Sequence, residues 1–115
     1  MRIYIIELDR ILPATVTLDT GAGSDFISAN ILMKLDIKAV DRQARDIQNV
    51  QLANGATLVS VAKVTLRFKI DQPALASLTY EADFNVLDWL PVGIVLGYQF
   101  LKKYRLLTKP RVLWN

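Results

Sequence analysis

The sequence predicts a small all-β domain with two short helices. Three observations support this: residues 63–70 alternate polar and apolar side chains without a break, residues 81–86 repeat the alternation, and Asn54-Gly55 separates two β-prone stretches. An alternation with a period of two is typical of a strand with one solvated face. A chain of 115 residues buries enough surface for one core but not for two. We therefore predict a single domain over residues 1–115.

The alternating segments also define the faces of the predicted strands. In residues 81–86 the two sides are Ala82, Phe84 and Val86 on one and Glu81, Asp83 and Asn85 on the other. A shorter alternation over residues 15–18 predicts a strand early in the chain. Asn54-Gly55 lies between residues 47–53 and 57–64 and predicts a hairpin, because this dipeptide tolerates the positive φ angles of a type I′ turn.

Two short helices complete the prediction. Ser28 is a candidate N-cap for a helix that ends near Leu35. A second helix is expected after Gly97, with Phe100, Leu101 and Tyr104 on one face and with Lys102, Lys103 and Arg105 near its C-terminal end. Each helix follows an apolar run that ends in a glycine turn, so the two halves of the chain share a weak symmetry.

The composition restricts the possible chemistry. The chain contains no Cys and no His, which excludes Ser-His-Asp and Cys-His catalysis and removes the usual zinc ligands. The acidic residues show no metal-loop spacing, so we expect neither a metal nor a cofactor. Any catalysis would have to depend on carboxylates, Lys or Tyr.

Charge and hydropathy indicate which partners to expect. The 14 basic and 11 acidic residues, which give a net charge of +3, are interspersed, so we predict no nucleic-acid partner. No apolar run approaches the roughly 20 residues of a membrane span, and the N-terminus acquires charge too early for a signal peptide. The sequence therefore predicts a cytoplasmic protein without a membrane partner.

Asp19 is the residue whose position most requires an explanation. It ends the apolar run that begins at Val16, and a glycine-rich turn containing Gly21 and Gly23 follows it. We expect its carboxylate to be partly desolvated, which is costly unless turn amides bind it or a second carboxylate shares its proton. The two glycines would allow amides to approach it. The alternative is an ordinary β-turn, which Asp and Gly favour for local reasons.

Two segments stand out as landmarks: Asp19-Thr20-Gly21-Ala22, and Val95-Leu96-Gly97 before the second predicted helix. The first is similar to the active-site motif of retropepsin-type aspartic proteases, and the second is similar to the apolar-apolar-Gly segment that precedes their C-terminal helix. The continuation through Phe26-Ile27-Ser28 is closer to gypsy-class LTR retrotransposon proteases and their domesticated relatives than to retroviral enzymes. Residues 50–58 resemble the flap hairpin, so the resemblance covers about residues 14–114.

The resemblance implies a retropepsin-like closed β-barrel that acts as a homodimer and hydrolyses polypeptides at extended, largely apolar sites, as in polyprotein processing. It implies that Asp19, Thr20 and Gly21 form the catalytic motif, with Thr20 hydrogen-bonding across the dimer axis. The implied substrate-binding residues are Ala22, Gly23, Asp25, Ala53, Asn54, Gly55 and Ala56. The chain departs from the retroviral pattern at Gly23 and Ser24, where acids are common, and at Tyr98, where an Arg is common.

The chain has a single Asp-Thr-Gly segment, so the second catalytic Asp must come from another copy. We expect the apolar residues 3–6 and 112–114 to contribute to the dimer sheet, although Trp114 is also suited to covering the protomer's own core. Trp89 is a candidate for a substrate pocket or for covering the core.

Two other functions are compatible with the sequence. One is a catalytically silent retropepsin-like module that dimerises and binds peptides. The other is a small β-barrel binding domain in which Asp-Thr-Gly is only a turn, and this interpretation treats both landmarks as coincidence.

Overall fold

The computed structural model describes residues 1–7, 10–41, 47–51, 55, 57–60, 62–88, 90 and 92–108. Within these ranges the chain is mainly β, as the sequence predicts. The strands are β1 (Arg2–Glu7), β2 (Arg10–Thr15), β3 (Thr17–Asp19), β4 (Asp25–Ser28), β5 (Val40–Asp41), β6 (Gln48–Gln51), β7 (Thr57–Ser60), β8 (Ala62–Ile70), β9 (Tyr80–Leu87) and β10 (Ile94–Gly97). The helices are α1 (Ala29–Leu35) and α2 (Tyr98–Lys103), and a 3₁₀ turn covers Leu106–Thr108.

The main sheet is a nearly closed barrel with the strand order β2-β1-β8-β9-β4-β10-β3, and β5 pairs with β8. The strands at the two ends of this path, β2 and β3, are consecutive in the chain and are joined through Val16. The Val16 amide donates to the Met1 carbonyl at 2.7 Å, and the Met1 amino group donates to the Val16 carbonyl at 3.0 Å. These two hydrogen bonds hold Val16, and with it the adjoining ends of β2 and β3, beside Met1, the residue that precedes β1.

The long hairpin-like pair β8 and β9 forms the centre of the sheet. The two strands are antiparallel, with Val64 opposite Phe84 and Phe68 opposite Tyr80. Side chains along β8 alternate between buried and exposed, which confirms the period-two prediction for residues 63–70. Ile3 and Ile5 of β1 are fully buried and belong to the same apolar core as the buried residues of β8.

An aromatic cluster attaches α2 to this sheet. Phe68, Tyr80 and Phe100 contact one another, and Tyr104 contacts Tyr80 and Phe100. The Tyr80 and Tyr104 ring centroids are 4.8 Å apart in an edge-to-face arrangement. The Tyr104 hydroxyl accepts from the Glu81 amide at 3.1 Å and donates to the Glu81 carbonyl at 3.3 Å. Aromatic burial of this kind fixes the end of α2 against β9.

Both predicted helices are confirmed. Ser28 caps α1, and its hydroxyl accepts from the Asn30 amide at 3.3 Å. The helix ends at Asp36, which has a left-handed conformation with φ of 55°. In α2, Phe100 and Leu101 are buried, as the shared face predicts. Neither of these helices is long and apolar enough to span a membrane, and the described ranges contain no other candidate.

The predicted hairpin is confirmed as the antiparallel pair β6 and β7, which forms a separate two-stranded sheet. Gly55 has a φ of 87°, which glycine tolerates without a steric penalty. The register differs from the prediction, because Gln51 pairs with Thr57, whereas a two-residue turn at Asn54-Gly55 would pair Gln51 with Leu58. Asn54 itself lies outside the described residues.

The prediction that residues 3–6 contribute an edge to a dimer sheet is wrong. These residues belong to β1, which is paired on one side with β2 and on the other with β8. A strand with both edges hydrogen-bonded inside its own chain has no free edge for a second molecule. Residues 112–114 and Trp89 lie outside the described residues.

Candidate active site

Asp19 lies at the end of β3, where the strand runs beside β10. The two strands are parallel, and Leu18 is opposite Leu96 while Asp19 is opposite Gly97. Leu96 is fully buried and Leu18 is half-buried. The apolar residues of both strands therefore anchor the position from which Asp19 projects.

A tight turn orients the Asp19 carboxylate. The Gly21 amide donates to Asp19 Oδ1 at 2.9 Å, and the Ala22 amide donates to the Asp19 carbonyl at 3.1 Å. The expectation that Gly21 brings an amide to the carboxylate is confirmed. The same expectation for Gly23 is not, because the described hydrogen bonds include none from Gly23 to Asp19.

The carboxylate is exposed, so the prediction of partial desolvation is wrong for the single chain. The reason is the alternation along β3, which turns Leu18 inward and therefore turns Thr17 and Asp19 outward. Thr20, Gly21 and Gly23 are exposed as well, while Ala22 is half-buried. The structure thus brings the predicted catalytic motif together on one exposed surface.

Gly97 packs directly against the loop that carries Asp19. A Cβ atom built on Gly97 would lie 2.6 Å from the Ala22 carbonyl oxygen and would also overlap the Ser24 carbonyl. The neighbouring Tyr98 amide donates to the Ala22 carbonyl at 2.8 Å. Only a residue without a side chain allows this approach, which accounts physically for the glycine of the second landmark.

Asp25 connects the same loop to β10. Its Oδ1 accepts from the Gly97 amide at 2.7 Å, and its carbonyl accepts from Asn85 Nδ2 at 3.2 Å. Burial raises the pKa of Asp25 above its ordinary value of 3.8. The Gly97 amide and Lys103 act in the opposite direction, while the nearby Asp83 raises the pKa further.

Asn85 is buried, although the alternation along its strand predicts a position on the polar side. The alternation in residues 81–86 places it with Glu81 and Asp83 on the polar side, and those two residues are exposed, but Asn85 is buried. Strand β4 lies parallel beside β9 with Phe26 opposite Asn85, and the Asn85 side chain bonds to the Asp25 carbonyl of that strand. Sequence reasoning missed both Asn85 and the bond from Asp25 to Gly97. The available signal was a single polar residue in the otherwise apolar run from Phe84 to Leu87.

A polar cleft with a volume of about 550 Å³ opens beside Asp25. Gly23, Ser24 and Asp25 form one wall, and Lys63 and Lys103 lie among the other lining residues together with Glu81 and Asp83. The cleft therefore contains charges of both signs. No group of three or more acidic side chains in the described ranges is arranged to hold a metal ion.

The predicted flap residues are described only in part. Gly55 is exposed at the tip of the pair β6 and β7, and Ala53, Asn54 and Ala56 lie outside the described residues. The structure places Ala22 and Gly23 in the loop after Asp19, and Asp25 at the first position of β4. It places Gly55 in a separate hairpin.

Comparison with known proteins adds no assignment. No protein-family model matches the chain, and no curated protein matches it.

Proposed function

We propose that this chain is an aspartic endopeptidase of the retropepsin type that acts as a homodimer. The observation that carries the proposal is the presentation of Asp19: an exposed carboxylate at a strand end, oriented by the Gly21 amide at 2.9 Å. The backbone of β10 and α2 supports the loop that holds it. A carboxylate that is fixed on one side and open on the other is suited to act on a substrate.

The proposed chemistry needs two carboxylates. Two such groups about 3 Å apart do not both ionise at low cost, so one pKa rises and the other falls. The ionised group takes a proton from a water molecule, whose oxygen bonds to the scissile carbonyl carbon while the protonated group gives its proton to the carbonyl oxygen. The roles then reverse: one carboxylate takes a hydroxyl proton back, the other carboxyl gives a proton to the nitrogen, and the C–N bond breaks to release the amine. No covalent enzyme intermediate forms.

The second carboxylate is assigned to Asp19 of the partner subunit. Asp25, the acid that follows in the same loop, is engaged with the Gly97 amide. Strand β3 lies at one end of the sheet path, and its outward residues Thr17 and Asp19 are exposed. A two-fold axis beside β3 would bring the two copies of Asp19 together and would allow Thr20 to bond across the axis.

The peptide would bind as an added strand between the Asp19 loops and the hairpins of β6 and β7. Backbone hydrogen bonds supply affinity in this mode, and alternate side chains enter the pockets that give specificity. We assign the peptide contacts to Ala22, Gly23, Asp25 and residues 53–56. Polyprotein processing is the corresponding biological role.

The decisive experiment is cleavage of a broad peptide library by the native chain and by D19N, with inhibition by a pepstatin-type compound. The native chain should cleave and D19N should not. D36N is the matched control, because Asp36 is an exposed acid at the end of α1 and Asn is compatible with its left-handed conformation. Peptide binding without cleavage by the native chain would instead identify the catalytically silent module.

Mixing subunits tests whether the active site is shared. When D19N is present in about tenfold excess, random pairing leaves roughly one wild-type subunit in eleven with a wild-type partner, so activity per wild-type subunit should fall about tenfold. The same excess of D36N should not lower activity. If excess D19N has no effect, each chain acts alone and the dimeric site is wrong.

A further inference from the structure

Asp25 occupies a position from which it controls the loop that carries Asp19. Its Oδ1 accepts from the Gly97 amide at 2.7 Å across 72 positions of sequence. Gly97 is in turn the residue opposite Asp19 in the pairing of β3 with β10. The carboxylate therefore joins the far end of the Asp19 loop to the strand that lies beside its beginning.

We infer that Asp25 is a positioning residue that clamps the Asp19 loop onto β10 and the start of α2 through the Gly97 amide. Two contacts next to this bond define the clamped geometry. The Tyr98 amide donates to the Ala22 carbonyl at 2.8 Å, and Gly97 lies too close to the Ala22 carbonyl for any side chain. If Gly97 moves, the Ala22 backbone moves with it. Because the Ala22 amide donates a hydrogen bond to the Asp19 carbonyl, Asp19 moves as well.

The chemical type of residue 25 supports this role. An ionised acceptor gives a shorter and stronger hydrogen bond than a neutral one. Burial nevertheless makes ionisation of Asp25 less favourable than in water, which raises its pKa. The Gly97 amide, which donates to this carboxylate, offsets part of that cost.

Charged groups from three elements face Asp25 across the cleft. They are Lys63 from β8, Glu81 and Asp83 from β9, and Lys103 from α2. Asp83 raises the pKa of Asp25 and Lys103 lowers it. The strength of the bond to Gly97 should therefore depend on pH, and the pH at which it changes should depend on Asp83.

The first test is NMR of the Gly97 amide in the full chain. Its proton should move upfield on acidification, with a midpoint above 3.8, the ordinary value for an Asp. The movement should be absent in D25N, whose amide oxygen still accepts but does not titrate, and the midpoint should be lower in D83N. A Gly97 signal that does not titrate, or that titrates equally in D25N, overturns the inference.

The second test measures the loop itself by hydrogen exchange. In D25A the Gly21 and Tyr98 amides should exchange at least about tenfold faster than in the native chain, because their bonds depend on a fixed loop. D25N keeps the acceptor and should exchange at nearly the native rate. D83N is the matched control from the same cleft. Unchanged exchange in D25A, with the remaining amides as in the native chain, overturns the inference.

The consequence for turnover rests on the proposed function. D25A should lower kcat by about 10-fold to 100-fold, because small misplacement of a catalytic group has effects of this size. D25N should restore most of the rate. If the native chain cleaves no peptide but the loop loosens in D25A, the proposed function fails and the positioning role stands. If the native chain is active and D25A keeps its kcat and its slow exchange, the positioning role fails alone.

Discussion

Asp19 and Gly97 lie opposite each other where the parallel strands β3 and β10 end. This relationship gives a structural meaning to the weak symmetry of the sequence, in which each half has an apolar run, a glycine turn and a short helix. The equivalent runs of the two halves are neighbours in the sheet. One half contributes the carboxylate, and the other contributes a residue with no side chain.

Gly97→Ala should destabilise the chain substantially. The new Cβ would lie 2.6 Å from the Ala22 carbonyl oxygen, and backbone cannot move aside as a flexible side chain can. We expect a loss of about 1–3 kcal/mol or more in the free energy of unfolding, measured by urea denaturation. Gly23→Ala is the matched control, because no described atom lies within 4 Å of its Cβ position. Equal stability of the two variants would contradict the observed packing of Gly97.

The pH dependence of stability should reveal Asp25. Because its pKa in the folded chain is raised above 3.8, the folded state binds the proton more tightly than the unfolded state. The contribution of Asp25 to stability is therefore greatest below the unfolded pKa and is lost as the pH rises through the folded pKa.

Asp25→Asn should remove this decline. The measurement is urea denaturation at a series of pH values across the acid range, with D36N as the control for loss of an exposed carboxylate. The D25N curve should be flatter than the native curve, and the D36N curve should follow the native one. A native curve that rises over this interval and becomes flat in D25N would show that the Asp25 pKa is lowered instead.

Tyr80→Phe should leave stability unchanged or increase it by up to about 1–2 kcal/mol, because the Tyr80 hydroxyl is buried without a hydrogen-bond partner among the described residues. Burial also raises the pKa of this phenol, and the adjacent Tyr104 adds to the effect. Tyr104→Phe is the matched control. Its hydroxyl bonds both the Glu81 amide and the Glu81 carbonyl, so its removal should cost about 0.5–1.5 kcal/mol. Thermal denaturation of both variants checks the contrast.

Local sequence patterns were sufficient to predict the elements that depend mainly on residues close together in the chain. The alternation in residues 63–70 reports a strand with one wet face, and β8 has that burial pattern. Ser28 precedes α1 as its cap because the cap is a bond to the backbone two residues later. The hairpin at Gly55 was predictable because an Asn-Gly turn between two β-prone stretches is also a local signal. Its register was not predicted correctly.

Long-range pairing determines the features that the sequence did not predict. Asn85 is buried because β4, some 60 positions earlier, lies beside it. The bond from Asp25 to Gly97 spans 72 positions, and no periodicity within a strand or helix reports it. The exposure of Asp19 differs from these two features, because it follows from the local alternation along β3. The candidate catalytic motif and its bond to Gly21 were visible in the sequence, whereas the long-range contacts that support the loop were not.

Asp19→Asn should separate folding from catalysis. Asp19 is exposed, and an Asn oxygen at this position still accepts from the Gly21 amide that now bonds Oδ1. The free energy of unfolding should therefore change by no more than about 0.5 kcal/mol, while peptide cleavage should be lost because a neutral amide cannot take a proton from water. Asp19→Ala removes the acceptor as well and should cost about 0.5–1.5 kcal/mol. Urea denaturation and the cleavage assay on the same preparations check both parts. If D19N retains the native rate of cleavage, the carboxylate does not perform the reaction, and the bond to Gly21 is only part of a turn.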